Sequence, residues 1–264
     1  MERSNGPWRR FQALANDSPA KTVIMTLAVA FLGSVLVAGS AVLLRPLQIA
    51  NKEAERRARV AEIVAQLDDG EALKIEARVV DLASGRYVTS MDPLGFDQRR
   101  AARDPELSLE IPAQDDLAGL KRRARFAVVY LAQSGGRTRA VVLPVRGSGF
   151  ASMIYGYIGL AADANTVVGI SFYEHAETPG LGSLIDSPAW KRQWQGKKVR
   201  DEGELLRLGV GRGRIEPGSE AASYQVDGLT GATWTGLGVT NLLHYWLDEN
   251  GFGPYLRKLR RRQG

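Results

Sequence analysis

Thr233 stands in the segment D-G-L-T-G-A-T-W-T, Asp227 to Thr235, immediately ahead of an apolar stretch with helical spacing. Gly228 and Gly231 free the backbone there, and the N–H groups that open a helix favour an anion. A phosphate carried on Thr233 would therefore be partly neutralised, while Gly231 and Ala232 leave room for a bulky group to approach. Taken alone, a threonine before a helix also reads as a plain N-cap. A second segment, H-A-E-T-P-G-L-G, runs from His175 to Gly182. Thr178-Pro179-Gly180-Leu181 carries Pro and Gly at the second and third positions of a type II turn. It reads either as a tight surface turn or as a rigid loop that lets backbone come close to a flat ring, with Glu177 and backbone groups bonding polar ring edges. His175, at a strand end, fits a structural role or a tuning one.

These residues need a frame. RFAVVYLAQ and RTRAVVLPV flank Ser134-Gly135-Gly136, a hairpin turn, and MIYGYIGLAA and NTVVGISFYE flank Asp163-Ala164-Asn165, another turn cluster. Four β-rich runs in succession predict an antiparallel meander. After Thr233, Val239, Leu242, Leu243, Trp246 and Leu247 fall on one helical face, which should pack on that sheet and place His244 among packing residues. The fold class is α+β. Residues 70–122 are charged and weakly periodic, with one strand expected at 75–82, and read as a peripheral, mobile segment.

Between Thr22 and Leu44 no charge occurs, and at about 1.5 Å per residue the run spans roughly 34 Å, enough to cross a bilayer. It is longer than a signal-peptide core. Both flanks are basic, so charge does not decide orientation. Directly after it, Val60, Ile63, Val64 and Leu67 predict a short amphipathic helix. The absence of cysteine excludes disulfides, iron–sulfur clusters, thiolate catalysis and a lipoprotein anchor, and two distant histidines predict no metal site. The net charge of +6 lies largely in the terminal Arg257-Lys258-Leu259-Arg260-Arg261-Arg262, read as a frayed, solvated end or a contact for anionic lipid or a partner. Basic and acidic residues otherwise nearly balance, which argues against nucleic acid.

The two motifs, joined by LPVRGSGFASMIYGY (Leu143 to Tyr157), resemble the C subunit family of the Na+-translocating NADH:quinone oxidoreductase. The resemblance covers the span and about residues 125–250. It implies FMN esterified through its phosphate to Thr233, with Asp227, Thr230, Gly231, Ala232 and Thr233 matching the pattern read by an FMN transferase. Glu177, Thr178, Gly180, Leu181, Gly182 and His175 become candidate flavin contacts. It further implies an electron-relaying subunit, not catalytic in isolation, working with other subunits of the reductase in a bacterial inner membrane, its flavin domain on the periplasmic side. The expected layout is a tail (1–21), a transmembrane helix (22–44), a juxtamembrane helix and peripheral segment (45–122), an FMN-binding domain (123–256) with an antiparallel sheet packed by helices, and a basic tail (257–264). Thr230 stands where serine is usual, which keeps a hydroxyl. The G subunit of the related ion-translocating ferredoxin:NAD oxidoreductase shares both motifs but usually lacks the L-P-V-R-G-S-G block, and a membrane-anchored non-redox binding module is the alternative from another class. Gly147-Ser-Gly149 and Gly209-Val-Gly211 lack the third glycine of a dinucleotide fingerprint, so NADH is expected to bind elsewhere.

Overall fold

The computed structural model describes residues 11, 15, 18–67 and 73–261, and the chain divides into two units, residues 1–55 and 56–264. Much of the expected tail 1–21, and residues 262–264 of the expected basic tail, lie outside the described residues. Helix α1 (Pro19–Val64) begins in the first unit and ends in the second, and its stretch Pro19–Arg45 is apolar and long enough to cross a membrane. Its described side chains are almost all exposed, as suits a surface made for lipid. The expected short juxtamembrane helix is not separate: the backbone stays helical without interruption to Val64.

The second unit is built on a six-stranded antiparallel sheet with the order β2-β1-β5-β6-β7-β8. Its strands are β1 (Lys74–Asp81), β2 (Arg86–Tyr87), β5 (Phe126–Ser134), β6 (Arg137–Ser148), β7 (Met153–Ala161) and β8 (Val167–Glu174). Strands β5 to β8 form the predicted meander. Gly135 and Gly136 both take positive φ, 54° and 77°, in the two-residue turn that joins Ser134 to its partner Arg137.

Both faces of this sheet are covered, which is why β5 reads as a nearly unbroken apolar run. Ala127, Val129 and Leu131 point to one side, where helix α4 (Thr233–Leu247), which follows the short helices α2 (Gln98–Ala101) and α3 (Pro188–Arg192), lays down Val239, Leu242, Leu243, Trp246 and Leu247. Each such side chain contributes about 1.5–3 kcal/mol when fully buried, so the helix is held firmly. Val128, Tyr130 and Ala132 point to the other side, against Val60, Ile63 and Val64 at the end of α1.

Two expectations are corrected. Residues 73–122 are not peripheral: β1 pairs with β5 over its full length, Val79, Val80 and Leu82 are buried, and β3 (Ser108–Glu110) pairs with β4 (Arg122–Ala124). The charges that hid this sit mostly on exposed or half-buried side chains. Nor is the basic end frayed as far as it is described, because α5 (Gly253–Arg261) buries Tyr255, Leu256 and Leu259. Arg257 pairs with Glu249, Arg260 with Glu204, and Lys258 donates to the carbonyl of Ser84.

Candidate functional site

Two turns face each other at the end of the sheet. In the first, the N–H of Leu181 donates to the carbonyl of Thr178 at 3.1 Å, with Gly180 at φ 74°, as the type II pattern requires. In the second, the N–H of Ala232 donates to the carbonyl of Leu229 at 3.0 Å, with Gly231 at φ 75°. The turns touch: a Cβ built at Gly231 would lie 3.0 Å from Leu181 Cδ2. Between them opens a cleft of about 360 Å³, lined by Thr178, Leu181, Gly182, Gly231, Ala232 and Thr233, together with Phe150, Trp234 and Thr235.

Thr233 is the first residue of α4 proper and its side chain is exposed. The cap position falls to Ala232, whose side chain accepts nothing, so the plain N-cap reading of Thr233 is set aside and the helix opens without side-chain capping. The first N–H groups of a fifteen-residue helix thus meet an exposed hydroxyl in a cleft that no titratable side chain lines among the described residues.

Glu177 has a different place from the one expected. It is 4% exposed, and its carboxylate accepts the N–H groups of Phe150 (3.2 Å), Ala151 (3.0 Å) and Ser152 (3.1 Å) and the hydroxyl of Thr235 (2.6 Å). Burial alone would raise its pKa; the Thr235 hydroxyl and the three N–H groups outweigh burial and hold it below the usual carboxylate value. This carboxylate staples the β6–β7 loop to the first turn of α4. The packing around it excludes even a methyl group: a Cβ at Gly182 would stand 2.7 Å from Thr235 Oγ1, and one at Gly149 would collide with Glu177 itself.

His175 and Asp227 likewise hold the frame and do not line the cleft. The ring of His175 accepts the Glu177 N–H at Nδ1 (3.2 Å), which leaves Nε2–H to donate to Asp186 Oδ2 (2.7 Å). Asp227 Oδ1 accepts the N–H of Ile215 at 2.7 Å, while its carbonyl accepts Trp190 Nε1–H at 2.9 Å, pinning the loop before Leu229. Thr230 is exposed at the turn. His244 is a packing residue as expected: its Nε2 lies 2.8 Å from the Leu208 carbonyl, and burial lowers its pKa. The contributions missed in the sequence are Phe150 and Trp234, each 67% exposed, and Thr235, whose partner lies 58 positions away. A large ring inside a glycine-rich motif was the available signal for Trp234.

The FMN-binding domain family matches residues 149–248, from the loop under Glu177 to the end of α4. The C subunit of the Na(+)-translocating NADH-quinone reductase of Pseudomonas aeruginosa is 42% identical over 254 residues, covering 93% of this chain and 97% of that protein. The chain belongs to this family of C subunits. The C subunit of Neisseria meningitidis serogroup B is 41% identical over 251 residues, covering 92% and 95% of the two chains. The crystal structure of Shewanella oneidensis NqrC superposes with a TM-score of 0.73 at 31% identity, over 80% of this chain and 99% of that one. That of the C subunit from Parabacteroides distasonis gives a TM-score of 0.59 at 26% identity, over 81% and 96%. This chain thus has the expected fold: an apolar N-terminal helix followed by an antiparallel sheet packed with helices.

Proposed function

We propose that this chain carries FMN esterified through its phosphate to Thr233 and serves as an electron-relaying subunit of a membrane-bound, Na+-translocating NADH:quinone reductase. The observation that carries the proposal is the exposed Thr233 hydroxyl at the uncapped start of α4, within a cleft bounded by two glycine turns. The residues present fit the group. The first N–H groups of the helix and its dipole suit a phosphate without any cation, and the Phe150, Leu181 and Trp234 side chains offer apolar surface for a ring.

Bound there, FMN would supply reversible electron transfer, chemistry that no side chain of this chain offers. The chain's own residues position and shield. Thr233 supplies the oxygen that holds the phosphoryl group, Gly231 and Gly182 keep the backbone free of obstructing side chains, and Glu177 fixes the loop that carries Phe150. Attachment requires a separate transferase using FAD, because no base lines the cleft to activate the threonine hydroxyl. In that reaction the Thr233 oxygen–phosphorus bond forms, the diphosphate bond of FAD breaks, AMP leaves and the hydroxyl proton is lost. We further place the chain in a bacterial inner membrane, anchored by residues 22–44, with the flavin domain on the periplasmic side and other subunits of the reductase as partners; this placement rests on the family likeness.

The test is the intact mass and visible spectrum of acid-denatured protein from a host that has the transferase, beside Thr233→Ala. The expected result is one FMN less one water added to the wild-type mass, with flavin absorbance, both lost in the variant. An unmodified, colourless wild type overturns the proposal.

A further inference from the structure

A second pocket of about 570 Å³ lies in the same unit and has the opposite chemistry. Arg56, Arg99, Arg146, Tyr155, Tyr157 and Tyr173 are among the residues that line it, together with Asp97, whose Oδ1 already accepts the N–H groups of Arg99 (2.9 Å) and Arg100 (3.1 Å). Arg99 lies 3.7 Å over the Tyr155 ring and pairs with both carboxylate oxygens of Glu174, at 3.0 and 2.8 Å, so its charge is matched. Arg146 is different. It is half-buried, donates to the Arg122 carbonyl at 3.1 Å, and has no carboxylate partner among the described residues. Burial lowers its pKa, the Tyr155 hydroxyl beside it offsets only part of that, and the neighbouring charge of Arg99 adds to the lowering. A guanidinium held out of water without an anion is a cost that an incoming carboxylate would relieve.

The rings limit what that anion can belong to. Tyr157 and Tyr173 stack on each other at 5.2 Å, and Arg99 covers Tyr155, so several ring faces are already occupied. A flat aromatic ligand finds little left to stack on, whereas a carboxylate on a short aliphatic stem can pass between the rings. Tyrosine and arginine in a pocket are also the side chains that dominate protein–protein interfaces.

We propose that this pocket is a docking site for an acidic side chain of another subunit of the reductase, with the Asp or Glu carboxylate set against Arg146. The inference rests on the proposed membership of that assembly. It differs from the Thr233 cleft in needing no flavin.

The experiment is co-purification of the partner subunits on tagged full-length chain solubilised from membranes that express the whole complex, with covalent flavin and thermal midpoint recorded for each variant. Arg146→Gln should reduce recovered partners by about tenfold or more, the scale expected when one member of a buried charge pair is truncated. Arg146→Lys should recover part of the loss. Glu174→Gln gives an independent sign: by releasing Arg99 from neutralisation it should retain or increase recovery, which a merely structural role for the pocket does not predict. Equal recovery with Arg146→Gln and wild type overturns the inference alone, as does binding of free acetate or benzoate at Arg146 with assembly unchanged. Reduced recovery with Glu174→Gln overturns it also, whatever the folding of the Arg146 variants. A wild-type chain that brings down no partner overturns the assembly reading and this inference together, while flavin attachment remains separately measurable.

Discussion

The Thr233 cleft and the arginine–tyrosine pocket, in the roles proposed for them, would receive negative charge in two ways. The cleft uses backbone: two glycine turns and a helix start, with no titratable side chain among its described lining residues. The pocket uses side chains: three guanidiniums and the Asp97 carboxylate among phenolic rings. Fixed N–H dipoles near a permanent tether need no strong attraction, because a covalent bond would supply the affinity. A guanidinium pocket has only its electrostatics, so its occupancy should respond to salt and the cleft's should not.

The largest effect should come from Thr233→Ala, which removes all covalent flavin by intact mass yet leaves the circular dichroism and the wild-type recovery of partner subunits in place. That result would separate the two sites cleanly. Gly182→Val comes next. It forces a branched side chain toward Thr235 and Glu177, and overpacking of this kind costs about 1–3 kcal/mol in urea unfolding, with covalent flavin falling in parallel.

Glu177→Gln should cost about 1–3 kcal/mol, since an amide can accept through only one oxygen and turns its NH₂ toward N–H donors left unsatisfied. The acid sensitivity follows the same residue. Its pKa is lower in the fold than the ordinary 4.5, so its contribution is complete above about that pH and is lost as pH falls through the lower folded value. Thermal midpoints measured from pH 6 to pH 3 should fall less steeply in Glu177→Gln than in wild type. The smallest effect is expected from Arg99→Gln, about 0.5–1 kcal/mol, because the ion pair with Glu174 is solvent-exposed and the ring contact is modest. A large loss there would show the pocket to be a structural core element.

The meander, the α4 face and the Thr178–Leu181 turn were legible because each is written in local spacing: alternating or helical apolar residues, or Pro-Gly at fixed offsets; at Gly231 only the freedom of the backbone was legible, not the turn. The strand β1 was legible as a strand but not as part of the sheet, since its partner β5 lies some fifty residues on and nothing local names it. In α5, the charges of Arg257, Lys258, Arg260 and Arg261 masked a buried stripe of Tyr255, Leu256 and Leu259. The D-G-L-T-G-A-T-W-T motif marked Thr233 as a candidate site residue, and the structure sets it, exposed, in the cleft between the two turns. The inward turn of Glu177, His175 and Asp227 was not legible, because a carboxylate or imidazole next to glycines reads the same whether it faces a ligand or staples a loop. Only the distances from Glu177 to Phe150, Ala151, Ser152 and Thr235 separate those roles.

Thr233 begins an element whose opposite side is fastened by Val239, Leu242, Leu243 and Trp246, all at most 1% exposed. A group carried on it inherits the small thermal amplitude of the core, unlike a prosthetic arm on a swinging loop. With the proposed flavin there, shuttling over a long distance would fall to the motion of whole subunits, and the pace of electron passage would be set by how neighbouring bodies approach and separate.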